Sequence, residues 1–132
     1  GEKGDTRTDY QPSEDDNVLV QGVQGDSTAL GYFGFSYYET NADKLNLVAV
    51  DGGDGCIKPS VETIQNGTYK PLSRTIYMYV NAASLADKPQ VKAFMDYVVA
   101  NADESAKTAQ IVPLTAEQLT TAKDDLSKAE GS

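Results

Sequence analysis

Residues 73–102 read SRTIYMYVNAASLADKPQVKAFMDYVVANA, a strand pattern followed by a helix pattern. Residues 75–80, TIYMYV, are apolar on both faces, which is typical of a central strand covered on both sides. Pro89 predicts a helix start, because proline is favoured at the first helical position. In that helix the apolar residues recur as one stripe: Val91, Phe94, Met95, Val98 and Val99. A strand followed by an amphipathic helix predicts an α/β fold.

The same alternation continues on both sides of this stretch. The elements predicted before it are, in chain order, a polar loop at 1–12, a helix at 14–24 ended by Gly25, a strand at 29–35, a short helix near 36–44, a strand at 45–50, a turn at 51–55 and a short helix at 61–66. After it come a short helix near 103–109 and a last helix beyond Thr115. The predicted N-caps are Ser13, Ser60 and Thr115, the last in a capping box with Gln118.

Length and composition exclude several classes of protein. The 132 residues, 39% of them hydrophobic, fit one domain or pieces of two, and no apolar run approaches the ~20 residues that span a bilayer. A net charge of −9 leaves no basic surface for nucleic acid. The chain has no histidine and a single cysteine, Cys56, so a histidine-based triad, a typical zinc site and an internal disulfide are all excluded. The spacings of phosphate-binding and dinucleotide-binding loops are missing, and no cofactor is expected.

Both arginines, Arg7 and Arg74, lie in predicted loops beside hydroxyl residues: Thr6 and Thr8 for the first, Ser73 and Thr75 for the second. A guanidinium flanked by hydroxyls suits a tetrahedral oxyanion, because it supplies two parallel donors. The alternative for each is an ion pair on the surface of an acidic protein.

Three other clusters have structural interpretations that we favour. The acids at 14–16 match the first turn of a helix better than a metal or acid/base site. The DGGDG segment at 51–55 matches a turn better than a calcium loop, which needs further ligands at fixed spacing. The aromatic residues at 32–38 are typical of core rather than of a sugar-binding platform.

Four segments together resemble a known family. They are SEDDNVLVQGVQGDSTALGYFGFSYYE at 13–39, PSVETIQNGTYKPLSRTIYMYVN at 59–81, PQVKAFMDYVVANA at 89–102 and VPLTAEQL at 112–119. In order and spacing they resemble the C-terminal part of the phosphate-binding proteins of bacterial high-affinity phosphate ABC transporters, particularly the cyanobacterial-like branch. The resemblance covers nearly the whole chain.

The resemblance implies a partial periplasmic binding protein of the second structural type, with pieces of two α/β lobes. Residues 1–72 would belong to the second lobe, and 73–132 would return to the first. The implied function is to bind inorganic phosphate and deliver it to the permease subunits of an ABC transporter, outside the cytoplasm, with any signal or anchor upstream.

The family's Ser-Gly-Thr phosphate-binding triplet is absent, so only Arg7 is carried forward as a ligand-binding residue. Most of the pocket would lie outside this chain, so the chain is not expected to bind phosphate by itself. It could also associate with a second copy of itself, which would cover exposed sheet edges.

Two other function classes remain open at this point. An acidic extracytoplasmic protein-interaction or assembly domain, without a small-molecule ligand, would use exposed tyrosines and acids for protein contacts. An enzyme without histidine would need an Asp/Glu pair or a lysine-assisted serine, and neither has a recognisable spacing here. We therefore expect no catalytic activity.

Overall fold

Helix α1 (Asp16–Gly25) is the first regular element of the computed structural model, which describes residues 7–131. Asp15 caps it by accepting a hydrogen bond from the backbone N–H of Asn17 at 2.9 Å. The prediction that Ser13 is the N-cap is wrong: its hydroxyl accepts from the N–H of Asp15 at 3.0 Å, before the helix begins. The carboxylate at position 15 takes the cap because it also complements the helix dipole. The predicted end at Gly25 is confirmed.

Helix α1 packs against the short helix α2 (Phe35–Glu39). The buried residue of α1 is Val20, which is only 4% exposed. The sequence places Val18 on the apolar face with Leu19 and Val23, but this is wrong, because Val18 is 53% exposed. Leu19 and Val23 are half-buried on either side of Val20. The two helices form the regular structure of a first compact unit, which ends at Leu47.

The strand predicted at 29–35 is wrong in this structure. Residues 29–34 have no regular secondary structure, and Phe35 already belongs to α2. Leu30 and Tyr32 are 83% and 77% exposed. These side chains have no sheet within the described residues against which to pack.

The strand predicted at 45–50 is reduced to its last residue. Strand β1 (Val50–Asp51) pairs antiparallel with β2 (Cys56–Ile57), with Val50 opposite Ile57 and Asp51 opposite Cys56. The predicted turn at 51–55 is confirmed as the link of this hairpin. The Asp51 carboxylate accepts from the N–H groups of Gly53 (2.8 Å) and Gly55 (3.1 Å), and both glycines have positive φ, which other residues rarely adopt.

The strand predicted at 75–80 also lacks partners. No residue of this segment belongs to a strand in the structure, and its backbone forms no hydrogen bond with another described backbone group. The apolar pattern predicts a buried strand, and this is wrong within the described residues, because a strand exists only when a neighbouring strand supplies its hydrogen bonds.

Five helices form the rest of the second unit, which begins at Val48. They are α3 (Val61–Gln65), α4 (Ala82–Asp87), α5 (Pro89–Ala100), α6 (Ala102–Thr108) and α7 (Ala116–Glu130). Pro89 opens α5, Ser60 caps α3, and the capping box of Thr115 and Gln118 opens α7, as predicted; Ser60 also forms a capping box, with Thr63, that was not predicted. Helix α4 was not predicted; the Asn81 side chain caps it by accepting from the N–H of Ser84 at 3.0 Å.

The core of the second unit lies where α5 contacts α4, α6 and α7. Its buried residues are Leu85 (2% exposed), Met95 (9%) and Ala106 (7%). Phe94, which the apolar stripe of α5 placed inside, is 57% exposed. The assignment of 1–72 and 73–132 to two lobes concerns a larger molecule and stays a prediction.

Candidate functional site

Arg7 lies in the irregular segment before α1, where it forms a two-pronged ion pair with Asp9. Its Nε donates to Oδ1 of Asp9 at 2.8 Å, and its Nη2 donates to Oδ2 at 2.5 Å. Both side chains face solvent, with exposed fractions of 84% and 64%. The segment has no helix or strand to fix it, so this pair is the local contact that orients the guanidinium.

The ion pair changes the electrostatics of both partners. Donation from Arg7, followed by the backbone N–H of Asp9 itself, lowers the pKa of the Asp9 carboxyl. The same pair raises the pKa of Arg7. Asp9 therefore stays ionised, and uses two of the five N–H donors of the guanidinium. The remaining three are the donors with which Arg7 can bind an oxyanion.

Among the described residues, the hydroxyl groups next to the two arginines do not join them in the anion-binding arrangement that the sequence predicts. Thr6 lies outside the described residues, and no hydrogen bond joins Thr8 to Arg7 within residues 7–131. The second arginine, Arg74, is exposed and forms no ion pair with any described residue. The hydroxyl of its neighbour Ser73 donates to the carbonyl of Tyr69. The structure thus builds an oriented guanidinium at Arg7 and none at Arg74.

Sequence reasoning missed Asp9. The signal was present, because a carboxylate two residues after an arginine in a loop is within reach of its guanidinium. The surface ion pair was considered for Arg7 as an alternative to an anion fork. The structure shows this surface ion pair, and the oxyanion-binding role of Arg7 stays a prediction.

Two grooves in the second unit have the wrong charge for an anion. The larger, about 570 Å³, lies between α3 and the start of α7 and is lined by Glu62 and Glu117 among polar residues. The smaller, about 190 Å³, is lined by Asp103 and Glu104. Neither has a lysine or arginine in its lining. Carboxylates repel an oxyanion at such short range, so neither groove is an alternative to Arg7.

The acidic cluster takes the structural role that we favoured, since Asp15 caps α1. The aromatic residues at 32–38 form core only in part: Tyr32 is 77% exposed, whereas those at 33, 35, 37 and 38 are half-buried, with the Phe35 and Tyr38 rings 6.0 Å apart. Across residues 7–131, no three His, Cys, Asp or Glu side chains are grouped closely enough to hold a metal ion. Nor does this part of the chain contain a helix with the length and apolar character needed to span a membrane.

Comparison with known proteins gives consistent matches over almost the whole chain. Residues 6–102 match the PBP superfamily domain. The chain is 42% identical over 130 residues to protein SphX of a Synechocystis species, covering 98% of this chain and 39% of that protein. It is 37% identical over 131 residues to the phosphate-binding protein PstS of Staphylococcus saprophyticus, covering 98% of this chain and 40% of that one.

One solved structure is similar to this chain in its backbone as well as in its sequence. It is the crystal structure of a possible phosphate binding protein from Planctomyces limnophilus, with a TM-score of 0.83 and 34% identity. The match covers 93% of this chain and 44% of that one. The chain therefore spans about two fifths of the length of the curated relatives that it matches.

Proposed function

This chain belongs to the PBP superfamily, and on that premise we propose that it is the C-terminal part of a solute-binding protein for inorganic phosphate. The membership confirms the α/β class predicted from the residue pattern and the partial periplasmic-binding-protein fold implied by the family resemblance. The observation that carries the function is the alignment with the Staphylococcus phosphate-binding protein over 98% of this chain. The bound phosphate would be delivered outside the cytoplasm to the permease subunits of an ABC transporter.

The division into lobes forms part of this proposal. Residues 1–72 belong to the second lobe and residues 73–132 to the first, with the remainder of both lobes supplied by the rest of the polypeptide. Coverage of 39% of the Synechocystis relative supports this, since a chain of that share cannot make two complete lobes. A binding pocket between such lobes draws donors from both, so this chain supplies only some of them.

Arg7 is the residue through which this chain binds the anion. A guanidinium pairs with phosphate oxygens through parallel N–H donors, and Asp9 holds its Nε and Nη2 edge. The net charge of −9 does not oppose this role. Distant surface charges are screened beyond about 8 Å at physiological ionic strength, whereas directed hydrogen bonds act locally. The function needs no acid/base pair or nucleophile, and we propose that the chain has no catalytic activity.

The test uses a hybrid in which this chain replaces the matching region of the Synechocystis relative. Titration calorimetry with inorganic phosphate should give saturable binding. Arg7→Gln should weaken it by at least about tenfold, because a charged, two-pronged hydrogen-bond donor is lost. Arg74→Gln is the matched control, since Arg74 is exposed and unpaired among the described residues, and it should leave the affinity unchanged.

Two outcomes would contradict the proposal in different ways. A hybrid that is folded by circular dichroism but does not bind phosphate would remove the phosphate function and favour an acidic protein-interaction domain. Equal losses from Arg7→Gln and Arg74→Gln would leave the function standing and remove Arg7 from the site.

A further inference from the structure

Asn66 and Gly67 form the only Asn-Gly pair in the sequence, and they lie in the second unit at the end of α3. An asparagine before glycine is chemically labile, because no side chain hinders the approach of the next backbone nitrogen to the asparagine side-chain carbonyl. Every other asparagine is followed by a residue that has a side chain: Asn17, Asn41, Asn46, Asn81 and Asn101. The Asn66–Gly67 pair is therefore a candidate for a reaction of the chain with itself.

The turn after α3 requires glycine at position 67. Gly67 has a φ of 72°, in the left-handed region that other residues rarely adopt. Glycine in this conformation commonly ends a helix. Asn66 is the C-cap of α3, and its side chain is exposed. The fold thus keeps the labile pair at the surface, where water reaches it.

Two donors of Thr68 are directed at the side-chain oxygen of Asn66. This Oδ1 accepts from the backbone N–H of Thr68 at 3.0 Å and from its hydroxyl at 2.7 Å. The hydroxyl lies farther, 3.4 Å, from the carbonyl of Thr63, so it donates to Asn66. Attack on the amide carbon Cγ places negative charge on Oδ1, and donors fixed at such an oxygen in advance lower the barrier. The turn therefore activates the Cγ of Asn66.

The attacking nitrogen is held by a long hydrogen bond at the end of a short helix. The N–H of Gly67 donates to the carbonyl of Ile64 at 3.2 Å. Helix α3 has five residues, and the last turn of a helix opens readily. Asn101 is held more firmly, because its own Nδ2 donates to the carbonyl of Tyr97 at 2.8 Å. Asn66 thus combines an accessible nucleophile with an activated carbonyl.

We propose that Asn66 is a site of spontaneous deamidation, at which the chain converts its own amide to a carboxylate through a cyclic imide formed with Gly67. The Gly67 nitrogen loses its proton to solvent and bonds to Cγ of Asn66, while the Cγ–Nδ2 bond breaks and Nδ2 leaves as ammonia. Water then adds to one ring carbonyl and breaks its bond to the ring nitrogen. Opening at Cγ gives aspartate, and opening at the backbone carbonyl gives isoaspartate. One water is consumed and one ammonia is released.

The reaction changes the charge of the larger groove. Asn66 lines this groove together with Glu62 and Glu117, so the product adds a carboxylate beside two others. Gln65 lines it as well, and its Nε2 ties α3 to the carbonyl of Pro113 at 2.9 Å. Like charges at short range repel. Deamidation therefore makes the groove between α3 and α7 more acidic, and it makes the net charge of the chain more negative than −9.

Incubation of the 132-residue chain at neutral and at mildly alkaline pH tests this. Peptide mapping by mass spectrometry measures conversion at each asparagine, and ion-exchange chromatography separates the product, with Asn66→Asp as the elution standard. Asn66 should convert at least about tenfold faster than Asn101. The rate should rise with pH, because the attacking nitrogen must lose its proton. No phosphate is added, so the result is independent of the proposed function.

Two substitutions of Thr68 separate the effect of the turn from that of the Asn-Gly sequence. Thr68→Val removes the hydroxyl that donates to Asn66, whereas Thr68→Ser keeps a hydroxyl at the same position. Thr68→Val should slow the conversion about fivefold, the effect of one hydrogen bond, and Thr68→Ser should convert near the wild-type rate. Asn66→Gln should abolish the fast conversion, because its longer side chain would have to close a larger ring.

Either of two results would overturn the proposal. One is conversion of Asn66 no faster than that of Asn101, or a gain of charge that maps to another asparagine. The other is a rate that Thr68→Val leaves unchanged or raises, which would mean that the native turn does not activate Asn66 and that only the opened chain reacts.

Discussion

The Arg7–Asp9 pair makes a prediction about acid pH. The pKa of Asp9 is lowered mainly by donation from Arg7, so the pair stabilises the segment above the ordinary carboxyl pKa of 3.8 and is lost as pH falls through the lowered value. In a carboxyl-carbon NMR titration, Asp9 should titrate below pH 3.8, and Arg7→Gln should return it towards that value.

Asp26 is the control for this titration. Its pKa is also lowered, by the backbone N–H and the hydroxyl of Thr28, and not by Arg7. Arg7→Gln should therefore leave Asp26 unchanged. A shift of both carboxyls together would indicate a general change in the fold of the first unit, and no shift at Asp9 would show that the pair does not form in solution.

Most of the helices, although not α4, could be predicted from the sequence, whereas the long strands could not, for one physical reason. A helix is specified by residues close in sequence: Pro89 opens α5, and Ser60 and Thr115 provide caps whose hydrogen bonds are made within three residues. A strand depends on a partner elsewhere. The pattern at 75–80 predicts a strand, but nothing in the described residues pairs with it.

The cap of α7 can be tested by removing one hydroxyl. The Thr115 hydroxyl accepts from the N–H of Gln118 at 3.1 Å, and the Gln118 side chain accepts from the N–H of Thr115 at 2.9 Å. Thr115→Ala should reduce the free energy of unfolding of the second unit by about 1 kcal/mol. Urea titration followed by circular dichroism measures this. Thr121→Ala, which removes an exposed hydroxyl inside α7, should cost less than half as much; an equal loss would contradict the capping role.

Lys92 joins α5 to the end of α7 and makes a prediction about alkaline pH. Its Nζ lies 3.1 Å from an oxygen of Asp96 and also pairs with Glu130. Glu130 first, and then Asp96, raise the pKa of Lys92 above 10.5. The stabilisation is therefore fully present below pH 10.5 and is lost as pH rises through the raised value.

Thermal melts of Lys92→Met test this link. The variant should melt below the wild type at about pH 8, and the difference should narrow at a pH well above 10.5, as the lysine loses its proton. Lys123→Met, at an exposed α7 position without an ion pair among the described residues, should melt near the wild type at the lower pH. A constant difference between wild type and Lys92→Met at both pH values would mean that the lysine acts through packing of its methylene chain.

At the scale of the whole molecule, prediction of the candidate site is limited in the same way as prediction of the strands, because both depend on residues that are distant in sequence. Arg7 was found because chemistry can be read from a single residue and its neighbours, and Asp9 was within the range of the same reasoning. In the proposed phosphate-binding protein, donors in the rest of the polypeptide would leave no mark on these 132 residues. The two acidic grooves in the described part of the chain are lined by carboxylates, which repel an anion. Local sequence thus predicts one candidate donor, Arg7, whereas the rest of a pocket depends on residues that are distant in sequence.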